Sequence, residues 1–100
     1  MSKAVQGPMD KVTQTYNTLY TGTLGGNNNV AQLAGDSYEV FSVLVQADPD
    51  NPDDCWIGND LAQYVELEAG SSITIPIDDL RKLYIRFGNG ANYVHFLAVG

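Results

Sequence analysis

Leu67-Glu68-Ala69-Gly70-Ser71-Ser72-Ile73-Thr74-Ile75-Pro76-Ile77-Asp78-Asp79-Leu80-Arg81-Lys82-Leu83-Tyr84-Ile85-Arg86 is the stretch on which the reading of this chain turns. Ile73, Ile75 and Ile77 alternate with Thr74, Pro76 and Asp78. Leu83, Ile85 and Phe87 alternate with Tyr84, Arg86 and Gly88, so each run has the period-two pattern of a half-buried strand. Asp78, Asp79, Leu80 and Arg81 form a polar corner between them, in which Leu80 alone gains by turning to the core. The corner is too short for a crossover helix, so the two runs are expected to lie antiparallel as a central hairpin.

Working outward, Ala69-Gly70-Ser71 turns the chain into this hairpin from a strand at Tyr64–Glu68, with Val65 and Leu67 inward and Tyr64, Glu66 and Glu68 outward. Cys55-Trp56-Ile57 is a shorter strand, stopped by Gly58-Asn59-Asp60. Before it, Asp48 to Asp54 is a loop, because two prolines in four residues deny a ladder its donors. Tyr38 to Ala47 is the most hydrophobic run, with Phe41, Val43 and Val45 on one face and Val40, Ser42 and Leu44 on the other. Apolar on both sides, it is read as a central strand or one covered by a neighbouring subunit. Val30, Ala31 and Leu33 suit a short strand. After the hairpin, Gly88-Asn89-Gly90 signals a tight turn, and Asn92 to Val99 is a last strand with faces Val94, Phe96, Ala98 and Tyr93, His95, Leu97, Val99. Six or seven short strands with no helical stretch predict an all-β fold, a small antiparallel β-sandwich or barrel.

Met1 to Gly22 is poor in aliphatic residues and rich in Thr, Gln, Asn and Tyr, and reads as extended, an arm or an edge strand. Gly25-Gly26-Asn27-Asn28-Asn29 tolerates positive φ and is read as a hinge or hairpin loop. The expected division is therefore an arm over residues 1–24 and a β-domain over residues 25–100. Lys3 and Lys11 against Asp10 give the arm a charge of +1, whereas the remainder carries -8.

One hundred residues make one domain with a modest core. A net charge of -7 argues against nucleic acid or an anionic membrane as partner. Cys55 is the single cysteine, so no intrachain disulfide staples the fold. The start, Met-Ser-Lys-Ala-Val-Gln-Gly-Pro, has no apolar run of signal-peptide type, and the expectation is a soluble chain made in a cytoplasm.

The residues of chemistry are few. His95 and Cys55 formally allow a nucleophilic pair, but a cysteine beside Trp56 in a strand is read as a core residue, and His95 as a surface or interface histidine. Zinc needs about four nitrogen or sulfur ligands and these two residues do not make a set. No Gly-x-Ser-x-Gly is present. Asp48, Asp50, Asp53 and Asp54, with Asp60 nearby, could offer calcium oxygen ligands, but the EF-hand glycine and terminal glutamate are missing, and a solvated loop is the favoured reading. Glu66 and Glu68 share a strand face, a placement that paired carboxylates of a glycosidase would also use, with surface solubility the preferred account. No cofactor, metal or catalytic residue is assigned. Six tyrosines and Trp56 are many amphipathic aromatics for this length and suit ordinary partial burial, protein interfaces or stacking on sugars. Val12, Tyr16, Leu19, Tyr20, Trp56, Tyr64, Tyr84 and Tyr93 are the candidate interface residues.

The Leu67 to Arg86 stretch, with Trp56-Ile57-Gly58 before it and Phe96-Leu97-Ala98-Val99 at the end, resembles the C-terminal β-domain of small tailed-bacteriophage virion proteins over roughly residues 38–100. The shared order is a strand ending in glycine, a leucine-x-x-glycine turn, an alternating strand, an aspartate-leucine corner and a tyrosine-containing strand. The fold expected is thus a small, jelly-roll-like β-sandwich or barrel with an extended N-terminal arm, and for it the resemblance implies a non-enzymatic capsid decoration or cement protein. It implies a homo-oligomer, commonly a trimer, bound between capsomers of the major capsid protein on the outside of the virion. The alternatives are a carbohydrate-binding head-fibre or adhesin domain, using Trp56 and exposed tyrosines, and a neck or tail-completion protein.

Overall fold

The computed structural model describes residues 18–100. Within them the strands are β1 (Leu19–Gly26), β2 (Val30–Gln32), β3 (Ser42–Ala47), β4 (Cys55–Gly58), β5 (Gln63–Leu67), β6 (Ser72–Pro76), β7 (Tyr84–Phe87) and β8 (Asn92–Val99). A 3-10 turn, Leu80–Lys82, stands between β6 and β7. The strands form two four-stranded antiparallel sheets, a first ordered β1-β8-β3-β6 and a second ordered β2-β7-β4-β5. The neighbours β1 and β8, β2 and β7, β3 and β6, β4 and β5 alternate between the sheets. That is the pattern of one long two-stranded ribbon, closed at the β4–β5 hairpin and wound over itself, so the all-β sandwich is a jelly roll.

Alternation explains why the ribbon closes on itself. Val43, Val45 and Ala47 of β3 and Val94 and Ala98 of β8 point inward from the first sheet, and Cys55, Ile57, Ile85 and Phe87 meet them from the second. Removing a Val, Ile or Phe side chain of this set from water contributes about 1.5–3 kcal/mol, and each sheet supplies the cover that the other needs. β3 is central, as its two apolar faces predicted.

Three expectations change. The central hairpin does not form: Ile73 and Ile75 pair with Val45 and Val43 in the first sheet, whereas Tyr84–Phe87 lies between β2 and β4 in the second. Each run has a single apolar face, and opposite sheets let both faces meet one core. The Asp78–Leu83 corner is the bridge between sheets, with Leu80 buried in it. Next, Leu19 to Leu24, assigned to the arm, pair residue by residue with β8 from Val99 to Val94, and β1 continues through Gly25 and Gly26. The domain therefore includes these residues, because Tyr20 and Leu24 have core to cover; residues 1–17 of the arm, with Val12 and Tyr16, lie outside the described residues. Finally, Val65 is 52% exposed and Gln63 is buried instead, its Nε2 donating to the Asn59 carbonyl. β5 is an edge strand with a bulge: Ile57 pairs with Val65 but Gly58 pairs with Gln63, so Tyr64 is skipped and the alternation breaks there.

Candidate functional site

The outward face of the first sheet carries exposed apolar side chains from three adjacent strands. Register sets its rows: Val99 lies between Leu19 and Ser42, and Leu97 lies between Thr21 and Leu44. Leu19, Leu97 and Leu44 are 64%, 41% and 38% exposed, although each belongs to a regular strand. Ser42 and Leu44 extend the rows to Pro76 and Thr74 of β6, and no charged side chain occurs in either row. In a chain of net charge -7, this is surface on which another protein can settle without meeting like charge.

The next row is polar and tied down. Thr23 Oγ1 lies 2.8 Å from His95 Nδ1, and His95 Nε2 lies 2.7 Å from Asp48 Oδ2. The hydrogen bond from His95, followed by that from the Asp50 backbone N–H, holds the Asp48 carboxyl below its ordinary range. Hydroxyl, imidazole and carboxylate stand here in the order of a nucleophilic relay. They run across an open strand face, where they tie β1, β8 and the β3–β4 loop together.

That loop uses its carboxylates on backbone. Asp48 Oδ1 accepts from the Asp50 N–H at 2.8 Å, and Asp53 Oδ2 accepts from the Asn89 N–H at 2.8 Å. The Asn89 bond, then that of the Asp54 N–H, lowers the Asp53 pKa. Asn92, fully buried, donates from Nδ2 to the carbonyls of Gly88, Asn89 and Gly90 and accepts at Oδ1 from the Asp53 N–H. Asn51 exchanges two bonds with the Tyr93 backbone. The acidic loop is thus stitched to the β7–β8 turn. Among the described residues no group of three or more His, Cys, Asp or Glu side chains is placed to hold a metal ion. Cys55 is buried at the loop's end, and burial, with the negative charges of Asp54 and Asp53, pushes its thiol up to about 11. Such a thiol is a core residue rather than a nucleophile.

The outward face of the second sheet holds the other aromatics. Trp56 lies between Arg86 and Glu66 in register, and the Arg86 guanidinium carbon is 4.2 Å from the Trp56 ring centroid. Tyr84 is half-buried beside Gly58, and Tyr64 is 85% exposed on the edge strand. A hydrogen bond with Asp54, reinforced by its negative charge, raises the Glu66 pKa, so this carboxyl gives up its proton later than usual.

The candidate interface residues are therefore not one patch. Leu19 and Tyr93 belong to the outer face of the first sheet, Trp56, Tyr64 and Tyr84 to that of the second. Tyr20 turns inward, half-buried, with its ring edge-on to Tyr38 at 4.9 Å. Leu44 and Leu97 were not among the candidates; the apolar second face of the Tyr38–Ala47 run was the signal for Leu44, but their adjacency depends on pairing between strands distant in sequence. Comparisons of the chain with protein-family models, with curated proteins and with solved structures find no match.

Proposed function

We propose that this protein is a non-enzymatic structural component of a phage virion, decorating the outside of the capsid between capsomers of the major capsid protein. Copies of the chain associate, as a trimer, through the two uncharged rows on the outer face of the first sheet. The observation that carries the reading is the pair of rows Leu19–Val99 and Leu97–Leu44, apolar side chains held outward on rigid strands of an otherwise acidic domain. The resemblance of residues 38–100 to small virion proteins supports it, and so does the jelly roll, a fold common among capsid proteins and lectins, although a fold alone carries no function. Many copies on one particle would add modest contacts into a large total.

The experiment is reconstitution. Undecorated capsids are mixed with the full chain and with its Leu97→Asp variant, and bound copies are counted by electron cryomicroscopy and gel densitometry. High occupancy at inter-capsomer positions by the wild type, lost in the variant, supports the proposal; a few copies at a portal or tail vertex overturns it in favour of a neck or tail-completion role. A carbohydrate-binding role has less support, because the Arg86 guanidinium already stacks on one face of the Trp56 ring. Specific binding on a glycan array would reverse that preference.

A further inference from the structure

The four sheet edges of the described residues are β1 and β6 in the first sheet and β2 and β5 in the second. Three are blunted in familiar ways: β2 has three residues, β6 ends in Pro76, and β5 carries Glu66 with Glu68 following it. β1, Leu-Tyr-Thr-Gly-Thr-Leu-Gly-Gly, has eight residues with neither charge nor proline. Its hydrogen-bonding phase follows from its neighbour. Thr18 and Gly100 exchange both backbone bonds at 2.9 Å, so Tyr20, Gly22 and Leu24 also bond to β8, and the N–H and C=O groups of Leu19, Thr21 and Thr23 point the other way.

Beside that edge is a cleft of about 490 Å³ between the two sheets. Five consecutive residues, Leu19 to Thr23, border it, as a strand does when its backbone edge rather than one face lines a space. Its apolar wall includes Leu33, Leu80 and Phe96, and its single charged lining residue is Asp36. Gly22 leaves room for the Phe96 ring in that wall, since a Cβ there would stand 2.8 Å from it.

We infer that β1 is a docking edge, at which an extended partner peptide with apolar residues at alternate positions and a lysine or arginine opposite Asp36 adds as a fifth strand of the first sheet. Backbone bonds to Leu19, Thr21 and Thr23 supply affinity; alternate side chains enter the cleft and supply selectivity. The basic residue matches both Asp36 and the negative charge of the domain. This edge shares Leu19 and Thr21 with the rows of the outer face but uses their outward backbone groups and the cleft rather than their outward side chains, so it does not depend on the proposed capsid role.

The test uses the full chain and a labelled eight-residue peptide of alternating valine and threonine with a lysine at each end. Three results are expected: saturable binding, slowed amide exchange at Leu19, Thr21 and Thr23, and at least about tenfold weaker binding when glutamates replace the lysines. Thr21→Pro removes one outward N–H from an edge that tolerates proline and is expected to weaken binding about tenfold or more without loss of fold. Should that variant unfold, Gly35→Trp fills the cleft from a position whose Cβ meets nothing within 4 Å, and is expected to block the peptide equally. Unchanged affinity in a folded blocking variant overturns the inference. So does amide protection at Thr21 and Thr23 in the free chain, which would mean that the chain itself occupies the edge. A dimer abolished by Thr21→Pro, with no peptide bound, would assign the edge to a second copy instead.

Discussion

Asn92 shows how much one side chain can organise in a domain of this size. Its amide, itself shut off from water, reaches three carbonyls of the β7–β8 turn and the Asp53 N–H. Gly90 in that turn has φ of 91°, a conformation other residues adopt at a cost, so the turn relies on both. Asn92→Ala leaves several of these groups without partners and should lower unfolding stability by about 2–3 kcal/mol, measured by urea titration. Asp79 plays the equivalent part at the other corner. Its carboxylate accepts from Ser37 Oγ at 2.6 Å and from the N–H groups of Arg81 and Tyr38. The Ser37 hydroxyl first, then the Arg81 N–H, bring its pKa down to about 2 from an ordinary 3.8. A lowered carboxyl stabilises the fold when ionised, so its contribution is complete above the ordinary value and is lost as pH falls toward about 2. Asp48, Asp53 and Asp78 are lowered in the same direction. Acid unfolding should therefore steepen below about pH 4, and Asp79→Asn should be less stable near neutrality with a shallower acid limb, followed by circular dichroism. Cys55, buried with its thiol at about 11, should react with a disulfide reagent at neutral pH only as fast as the protein opens.

At the scale of elements, the corner after β6 governs how the sheets meet. Leu80 is 1% exposed within a 3-10 turn capped by Asp79, so the turn is both a plug and a crossing. Leu80→Ala should cost about 2–5 kcal/mol, the range for truncating a buried leucine, and its melting temperature should fall accordingly. The outer face of the first sheet obeys a different rule. Leu97 and Leu44 point away from the core, so Leu97→Asp should change the melting temperature little while abolishing the proposed self-association, read by sedimentation equilibrium. A large loss of fold in that variant would place Leu97 in the core and remove the argument for the face.

For the molecule as a whole, the wound ribbon makes the closing contacts the most distant ones. Leu19 pairs with Val99, at opposite ends of the described chain. Local contacts cannot hold such a structure, and folding should take on the order of milliseconds to seconds, followed through Trp56 fluorescence. What was legible without coordinates was the part governed by period. Val43 and Val45, Ile73 and Ile75, Val94 and Ala98 all turn inward as their alternation required, because side-chain direction along a strand is a local property of the backbone. The β-class and the lack of a helical segment long enough to compete followed from the same pattern. Partnership was not legible. Whether Ile75 pairs with Ile85 or with Val43 depends on which sheet each joins, and sequence neighbours separated by a corner satisfy either choice locally. The burial of two one-sided ribbons against a single core decided it. The same choice brought Leu97 beside Leu44 and left β1 at an edge, so the surfaces offered for function were products of pairing, which no short stretch of residues encodes alone.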